Sequence, residues 1–402
     1  FSEASGHYYA LAKIMRVYIM QIIATMQGPL PYTKVESGQY SVGYDNEETA
    51  WKAMMDDLDY SIGVLTALMN TDPSFNELTT EDRIYQGDYK KWIKFANSLK
   101  LRIAIRISNA VPEYAQEKAE EAVSHPYGVM DSNDCDAYDN ITATNYKNGL
   151  ASVNSWGEVR ANACIVSFMN GYQDPRCEAY FTKSSASGDY DYIGVRSGIQ
   201  GITTSMFSTY STVKVETKTP MLIFNAAEVA FLRAEGALKK WNMGGTAEEF
   251  YKEGIRLSFN EHGISGADAY IANNTNVPAD YICPLNAAYN YTNPCKLTVA
   301  WDKTGANADE DNLQRILTQK MIANFPIGNE TWADFRRTGY PAVFPAHDNL
   351  STQGVTKERQ QRRLRFSEDE YNSNGANVTE ACTFLSNGQD TDATDLWWAK
   401  KD

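Results

Sequence analysis

Aromatic side chains in two irregular stretches of the sequence are the residues whose types best suit chemistry, and that chemistry is ligand binding. The first insertion (129–219) is dominated by Asn, Thr, Ser, Gly and Tyr, and the second insertion (280–305) is similarly aperiodic. Irregular stretches of this length in a compact protein usually carry function. Tyrosine offers a flat apolar face and a polar tip, which suits contacts with sugars or peptides. The candidate ligand-binding residues are Trp156, Tyr190, Tyr192, Tyr210, Tyr291 and Trp301. Ordinary packing within the loops is the alternative for each ring.

Polar side chains near these rings are candidate hydrogen-bond partners for the same ligand. They are Asn154, Asp189, Asp191 and Arg196, all in the first insertion. Amide, carboxylate and guanidinium groups can bond the hydroxyl groups of a sugar whose ring stacks on an aromatic plane. A peptide ligand would depend instead on backbone pairing and shallow pockets.

An acidic cluster at the start of the first insertion raises the question of calcium. Its members are Asp131, Asn133, Asp134, Asp136 and Asp139. An EF-hand loop needs oxygen ligands at its first, third and fifth positions and glycine at the sixth. Here the fifth position is Cys135 and the sixth is Asp136. The misfit favours a solvated loop, with a looser calcium site as the alternative.

Residues for catalysis form no motif in this sequence. The phosphate-binding, dinucleotide-binding, nucleophile-elbow and H-E-x-x-H patterns are all absent. The four histidines are scattered, so neither a catalytic residue nor a cofactor nor a metal ligand set is predicted. A glycosidase needs only two carboxylates at a set separation, and 51 acidic residues leave that possibility open.

Composition excludes further classes of protein. The net charge of -14 argues against nucleic acid as a partner, because phosphates would be repelled and the basic pairs are short and separated. No uninterrupted apolar run reaches the ~20 residues of a membrane helix. None of the six cysteines forms C-x-x-C. Cys283 and Cys295 flank a loop and could pair, with free buried thiols as the alternative.

Helical periodicity outside the insertions predicts paired helices. In the clearest pair, a helix ends before Pro326, Asn329 is expected to cap a second helix, and that helix stops at Gly339. The four predicted pairs are 4–27 with 47–69, the helices after Asp88 and Pro112, 220–263, and 310–339. Pairs of about 34 residues are typical of tetratricopeptide-like repeats, which stack because one pair cannot cover its own apolar face. The sequence therefore predicts an all-α fold of four such units with long, loop-rich insertions.

Several polar and aromatic residues of this scaffold are expected to serve packing. Trp332 and Arg336 stand four apart, so the guanidinium can lie over the indole ring. Asp334 can reach Arg337 by the same helical geometry. The run 174–176, Asp-Pro-Arg, is typical of a capped turn.

Four long segments, in order along the chain, resemble the SusD/RagB family of outer-membrane nutrient-binding lipoproteins. They are 14–33, ending in GPLPYT; 82–108, DRIYQGDYKKWIKFANSLKLRIAIRIS; 231–263, with FLRAEGA and YKEGI; and 319–341, with WADFRRTGYP. Weaker similarity covers 171–181 and 363–377. Together the segments span most of the chain.

The resemblance implies a single SusD-like domain over 1–402, with a loop-rich ligand face. It also implies a lipid-anchored protein exposed on the bacterial outer membrane. The family's N-terminal part, with its lipidated cysteine, has no counterpart in this sequence.

The resemblance further implies a non-catalytic function. Members of the family capture oligosaccharides for a SusC-like TonB-dependent transporter, over which they sit as a lid. A peptide-binding member of the same family is one alternative, and a helical glycoside hydrolase is another.

Overall fold

The computed structural model describes residues 5–35 and 38–399. Within them the chain forms thirteen α-helices and two short strands, so the prediction of an all-α fold is confirmed. In chain order these are α1 (Gly6–Gln27), α2 (Glu47–Thr71), α3 (Tyr89–Ile107), α4 (Pro112–Ser124), β1 (Ala137–Asp139), α5 (Gly149–Ser155), α6 (Ala163–Tyr172), α7 (Cys177–Tyr180), β2 (Met221–Phe224), α8 (Ala226–Leu238), α9 (Ala247–Glu261), α10 (Ala267–Ile271), α11 (Ala308–Ala323), α12 (Gly328–Thr338) and α13 (Glu368–Cys382). Ala4, where the first helix was predicted to begin, lies outside the described residues.

Four helix pairs form the scaffold, as predicted. α1 packs on α2, α3 on α4, α8 on α9, and α11 on α12. The pairs also stack, because α2 contacts α3 while α8 contacts both α3 and α11. The buried stripe of α2 includes Trp51, Met54 and Leu58 at helical spacing. Burying each such side chain contributes about 1.5–3 kcal/mol, which makes this interior the main source of stability.

The ends of the scaffold helices follow local sequence chemistry with one exception. Asp88 accepts hydrogen bonds from the first backbone amides of α3, and Thr246 forms a capping box with Glu249 at the start of α9. Gly339 ends α12 with a φ of 92°, a conformation that glycine adopts without strain. The predicted cap at Asn329 is wrong. This residue lies inside α12, and its side chain bonds Glu330 instead.

The helix predicted to begin at Pro220 starts six residues later. Residues Met221–Phe224 form β2, which pairs antiparallel with β1. Asn225 then caps α8 by accepting a hydrogen bond from the Glu228 amide at 2.8 Å. The run of four apolar residues fits a short strand or a helix by pattern alone, and pairing with a distant segment decides for the strand.

Buried ion pairs join the helix pairs where they meet. Arg102 of α3 donates to both carboxylate oxygens of Glu228 of α8, at 2.9 and 2.8 Å. Lys320 of α11 bonds Asp334 of α12 at 2.9 Å. All four side chains are almost fully buried. Because a buried charge is costly without its partner, these pairs fix the helices in one arrangement.

The packing contacts predicted from the sequence are present. The Arg336 guanidinium carbon lies 3.5 Å from the Trp332 ring centroid. Arg337 bonds Asp334 at 3.2 Å. In the turn at 174–176, Asp174 accepts hydrogen bonds from both the backbone and the side chain of Arg176.

Helix α1 is long and rich in apolar side chains. Among the described helices it is the one that is long and apolar enough to cross a membrane by length and composition. That is weak evidence for a span, because core helices and signal sequences pass the same test, and α1 packs on α2. About a third of the residues in its most apolar stretch are buried, and most of the other residues of α1 are partly buried.

Candidate functional site

The two insertions meet and form one loop-rich surface. The Tyr281 hydroxyl of the second insertion donates to the Gly194 carbonyl of the first at 2.9 Å. The Leu285 backbone amide donates to the Tyr210 hydroxyl at 3.2 Å. The structure therefore brings the two predicted ligand-binding stretches into contact.

Two of the predicted rings, both in the first insertion, are exposed to solvent. Trp156, at the end of α5, is 67% exposed, and Tyr190 is 44% exposed. The Asn148 side chain fixes the start of α5 by accepting a hydrogen bond from the Leu150 amide. Exposed rings held on ordered backbone can stack against a flat apolar ligand face.

A cavity of about 190 Å³ lies beside Tyr190, between the two insertions. Tyr192 and Asp189 line it from the first insertion, and Asp280 and Ile282 from the second. The Tyr192 carbonyl accepts a hydrogen bond from the Asn170 side chain at 2.8 Å, which ties this loop to α6. The cavity lining thus combines one exposed ring, one half-buried ring, the buried ring of Tyr281 and two carboxylates.

The other three predicted rings mainly pack within the protein. Tyr210 is only 4% exposed, so its ring face is covered in this structure, and its role in ligand binding stays a prediction. Tyr291 packs 4.7 Å from the Phe344 ring, centroid to centroid. Trp301 lies 5.2 Å from Tyr251 of α9. Irregular backbone has no repeating inside and outside face, so sequence spacing could not separate exposed rings from buried ones.

The predicted polar partners mostly bond the protein itself. Arg196 is buried over the Tyr291 ring, and its guanidinium donates to the carbonyls of Tyr289, Asn290 and Pro345. Burial lowers the pKa of Arg196. Of the three remaining candidate partners, two bond other residues of the protein and one lines the cavity. Asn154 bonds the Val213 carbonyl, exposed Asp191 pairs with Lys183 at 2.7 Å, and exposed Asp189 faces the cavity.

The cysteines Cys283 and Cys295, which the sequence allowed to pair, are both free and buried. The Cys283 sulfur lies 3.3 Å from the Tyr210 hydroxyl, inside the seam between the insertions. The thiol therefore packs the seam as a small polarisable group.

Members of the acidic cluster bond different parts of the protein instead of converging on one point. Asp131 pairs with Lys94 at 2.6 Å, and Asp139 pairs with Arg83 through two bonds. Asp136 accepts a hydrogen bond from the Ala226 amide at 2.7 Å. Within residues 5–35 and 38–399, no group of three or more His, Cys, Asp or Glu side chains is placed to hold a metal ion. The prediction of a solvated loop does not hold for Asp136, because burial of this carboxyl raises its pKa to about 6.

An acidic residue that the sequence did not single out lies against a cavity of about 800 Å³. Glu261, at the end of α9, accepts hydrogen bonds from the Tyr138 hydroxyl and from the Asn225 side chain. Burial raises its pKa to about 8, and the nearby Asp136 adds to the shift. Both carboxylates are already bonded around the start of α8, so they hold β1, α8 and α9 together. Nothing in the local sequence separates Glu261 from the other 50 acidic residues.

Comparison with known proteins gives one family over almost the whole chain. The family model described as SusD-like, "Susd and RagB outer membrane lipoprotein", matches residues 2–399. No curated protein matches the chain.

Three solved structures illustrate the similarity. A SusD-like protein from Bacteroides thetaiotaomicron is 48% identical with a TM-score of 0.95, and the match covers 100% of this chain and 83% of that one. A chitin-binding SusD homologue from Flavobacterium johnsoniae is 38% identical with a TM-score of 0.93, covering 98% and 81%. A SusD homologue from Bacteroides uniformis is 41% identical with a TM-score of 0.88, again covering 98% and 81%.

Proposed function

Because the chain belongs to the SusD-like family of outer membrane lipoproteins, we propose that it captures an oligosaccharide at the bacterial cell surface. It binds without catalysis and delivers the ligand to a SusC-like TonB-dependent transporter. It is held at the outer membrane by a lipid anchor, as the family description indicates.

One observation carries the choice of a glycan. The Flavobacterium johnsoniae homologue is described as chitin-binding, and it matches 98% of this chain at 38% identity. The exposed rings of Trp156 and Tyr190 support the proposal, because a pyranose ring presents C–H groups that pack on an aromatic face. Asp189 and Asp280, at the cavity beside Tyr190, supply acceptors for hydroxyl groups.

We predict that Trp156→Ala and Tyr190→Ala each weaken glycan binding about five- to tenfold. This corresponds to ~1–1.4 kcal/mol for the loss of one stacking contact. The purified chain is first tested on a glycan array that includes chitin oligosaccharides, and the best ligand is then measured by isothermal titration calorimetry. Tyr40→Ala is the matched control, because Tyr40 is a fully exposed ring outside both insertions.

The outcomes separate the proposal from its alternatives. If the chain binds no glycan on the array but binds oligopeptides, the peptide-binding alternative is established. Release of shorter sugars from a bound oligosaccharide would establish a glycoside hydrolase. Glycan binding that both variants leave unchanged would show that the platform lies elsewhere on the protein.

A further inference from the structure

The cavity beside Tyr190 has a buried floor and an exposed mouth. Its floor consists of Val166 and Ser167 of α6, Ile193 and the ring of Tyr281, all of them buried. Its mouth consists of exposed residues from both insertions, namely 187–190 together with Asp280, Ile282 and Pro284. A ligand therefore enters between the insertions and meets α6 at the bottom. We call this cavity the α6 cup.

Close packing closes the walls of the α6 cup. A Cβ atom at Gly194 would lie 2.6 to 2.8 Å from three backbone atoms of 161–163, so the wall at Gly194 rests directly on the chain at the start of α6. The Asn170 side chain bonds the Tyr192 carbonyl at 2.8 Å and closes another wall. The Tyr281 hydroxyl bonds the Gly194 carbonyl at 2.9 Å. Among the described residues, these contacts leave the mouth as the way in.

The volume of the α6 cup suits a single ring. It measures about 190 Å³, whereas pockets that enclose a drug-sized ligand span ~300–1,000 Å³. A buried cavity of roughly 150 Å³ holds one benzene ring. The α6 cup therefore has room for one six-membered sugar ring with its substituents. A sugar in the interior of a chain has a neighbour on each side, and a mouth of this size lets one neighbour out, so the geometry fits the end of a chain.

The polar groups of the α6 cup restrict the chemistry of that ring. Ser167 is 3% exposed, and its hydroxyl bonds no other residue in the part of the chain that the structure describes. Because a buried hydroxyl without a partner is costly, the floor favours a ring that brings a hydroxyl group. The charged residues of the lining are Asp189 and Asp280, both acidic. Lys296 pairs with Asp280 at 3.2 Å, while exposed Asp189 adds a negative charge that repels an acidic sugar.

We propose that the α6 cup takes the terminal, non-acidic sugar residue of a glycan, so that the protein captures the ends of chains. The terminal ring lies in the cup against α6, and the next residue leaves through the mouth past the ring of Tyr190. This inference rests on the proposed capture of a glycan, and it adds which part of the glycan is held.

The dependence of affinity on chain length is the first test. Oligosaccharides of two to six residues from chitin, cellulose and starch, all neutral, are titrated against the 402-residue chain by isothermal titration calorimetry. We expect the affinity in the series that binds to level off by about the third residue, because later residues lie beyond the mouth and gain few contacts. Affinity that rises with every added residue up to the hexamer would overturn the proposal, because the interior of the chain would then be held.

Hexamers with one blocked end are the second test. In one, borohydride opens the ring at the reducing end, and in the other the residue at the opposite end carries a benzylidene acetal. We expect at least about tenfold weaker binding for the hexamer whose blocked end enters the cup, because the altered residue no longer fits a space for one ring. If both blocked hexamers bind as tightly as the parent hexamer, the proposal is wrong.

Two matched variants connect these effects to the α6 cup. Ser187→Trp places a large side chain at the mouth, and Ser185→Trp places the same side chain on the same loop outside the lining. Both serines are exposed, so the thermal midpoints should match that of the parent. We expect at least about tenfold weaker binding for Ser187→Trp and unchanged binding for Ser185→Trp. Equal affinity of all three proteins would contradict the assignment of the cup.

The outcomes distinguish this inference from the proposed function. Glycan binding that grows with the whole length of the chain, or that ignores both blocked ends, overturns the capture of chain ends and leaves the capture of a glycan intact. Binding to none of the three neutral series also overturns the inference, while the glycan array decides separately whether the protein captures another glycan.

Discussion

Two consecutive residues at the end of α9 respond to burial in opposite directions. The pKa of Glu261 is raised to about 8, and the pKa of His262 is lowered to about 4. Burial disfavours the charged form of both groups, so the carboxyl keeps its proton and the imidazole loses its own. Nearby charges add to both shifts, from Asp136 for the carboxyl and from Arg176 for the imidazole.

Glu261 should make the fold less stable as the pH rises. Its folded pKa exceeds the unfolded value of 4.5, so its contribution is fully present below pH 4.5 and is lost as the pH rises through 8. We predict that Glu261→Gln removes about 2–4 kcal/mol of this loss between pH 5 and pH 8.5. Urea unfolding at both pH values measures it.

Glu253→Gln is the control for this measurement, because Glu253 is an exposed carboxylate on the same helix. It should leave the pH dependence of the parent unchanged. The shift at Asp136 has the same sign and remains in both proteins, so the difference between them isolates Glu261. Equal pH slopes for the parent and Glu261→Gln would contradict the assignment. His262 acts at the other end of the range, because its stabilising contribution is lost as the pH falls from 6.5 through 4.

For individual residues, the sequence predicted contacts within a helix better than contacts between loops. The stacking of Arg336 on Trp332 follows from positions four apart on one helix. The burial of Tyr210 depends on Leu285 and Cys283, which lie more than 70 residues away. No local rule connects residues across two irregular stretches, so the exposed rings could be proposed as a group but not selected.

The contact between α8 and α9 depends on a residue without a side chain. A Cβ atom at Gly254 of α9 would lie 2.7 to 2.9 Å from three ring atoms of buried Phe231 of α8. We predict that Gly254→Ala destabilises the protein, because overpacking costs about 1–3 kcal/mol and exceeds the ~0.5–1 kcal/mol gained in helix propensity. Urea unfolding of the purified variant measures the change.

Gly63→Ala is the matched control in α2. Gly63 is exposed, and a Cβ atom there would meet nothing within 4 Å. This variant should gain about 0.5–1 kcal/mol, because alanine restricts the unfolded chain more than glycine does. Two variants that change stability in the same direction would contradict the packing argument.

Element boundaries were predictable where a local signal was strong. The capping box at Thr246 and the stop at Gly339 are set within a few residues of sequence. The conformation of β2 depends on its pairing with β1, which lies more than 80 residues earlier in the chain. Its four apolar residues were therefore predicted, wrongly, to begin a helix. Helix α13 lies in the polar C-terminal part of the chain, where apolar residues show no helical periodicity, and it was not predicted.

At the scale of the whole molecule, the helix pairs are joined by buried charges as well as by apolar packing. Glu228 is fully buried and accepts hydrogen bonds from Arg102 of α3 and from Asn324, with Lys320 of α11 3.6 Å away. We predict that Glu228→Ala costs about 3–5 kcal/mol, because buried Arg102 loses the carboxylate to which it donates two hydrogen bonds. Thermal and urea unfolding measure the loss.

Glu248→Ala is the control for this prediction. Glu248 pairs with Lys252 one turn along α9, where both side chains are partly exposed. Solvent screens such a pair, so its loss should cost no more than about 1 kcal/mol. Similar costs for the two variants would show that burial of the Glu228 network adds nothing to stability.

The global arrangement was predicted from helix pairing and from the family resemblance together. Periodicity located four pairs of helices, but their stacking order rests on residues far apart in the chain, such as Arg102 and Glu228. The extent of the domain, 1–402, stays a prediction. The ligand surface was located only as two long stretches, and tertiary contacts decided which side chains remain available.

The seam between the insertions depends largely on main-chain oxygen atoms. Arg196 is anchored by three carbonyl groups and the Tyr281 hydroxyl by a fourth, and every amino acid supplies such a group. Side chains that point outward from the insertions, such as Trp156 and Tyr190, take no part in these bonds and can therefore be exchanged without breaking them. Specificity for a new nutrient is then open to change by a few surface substitutions, while the supporting framework stays as it is.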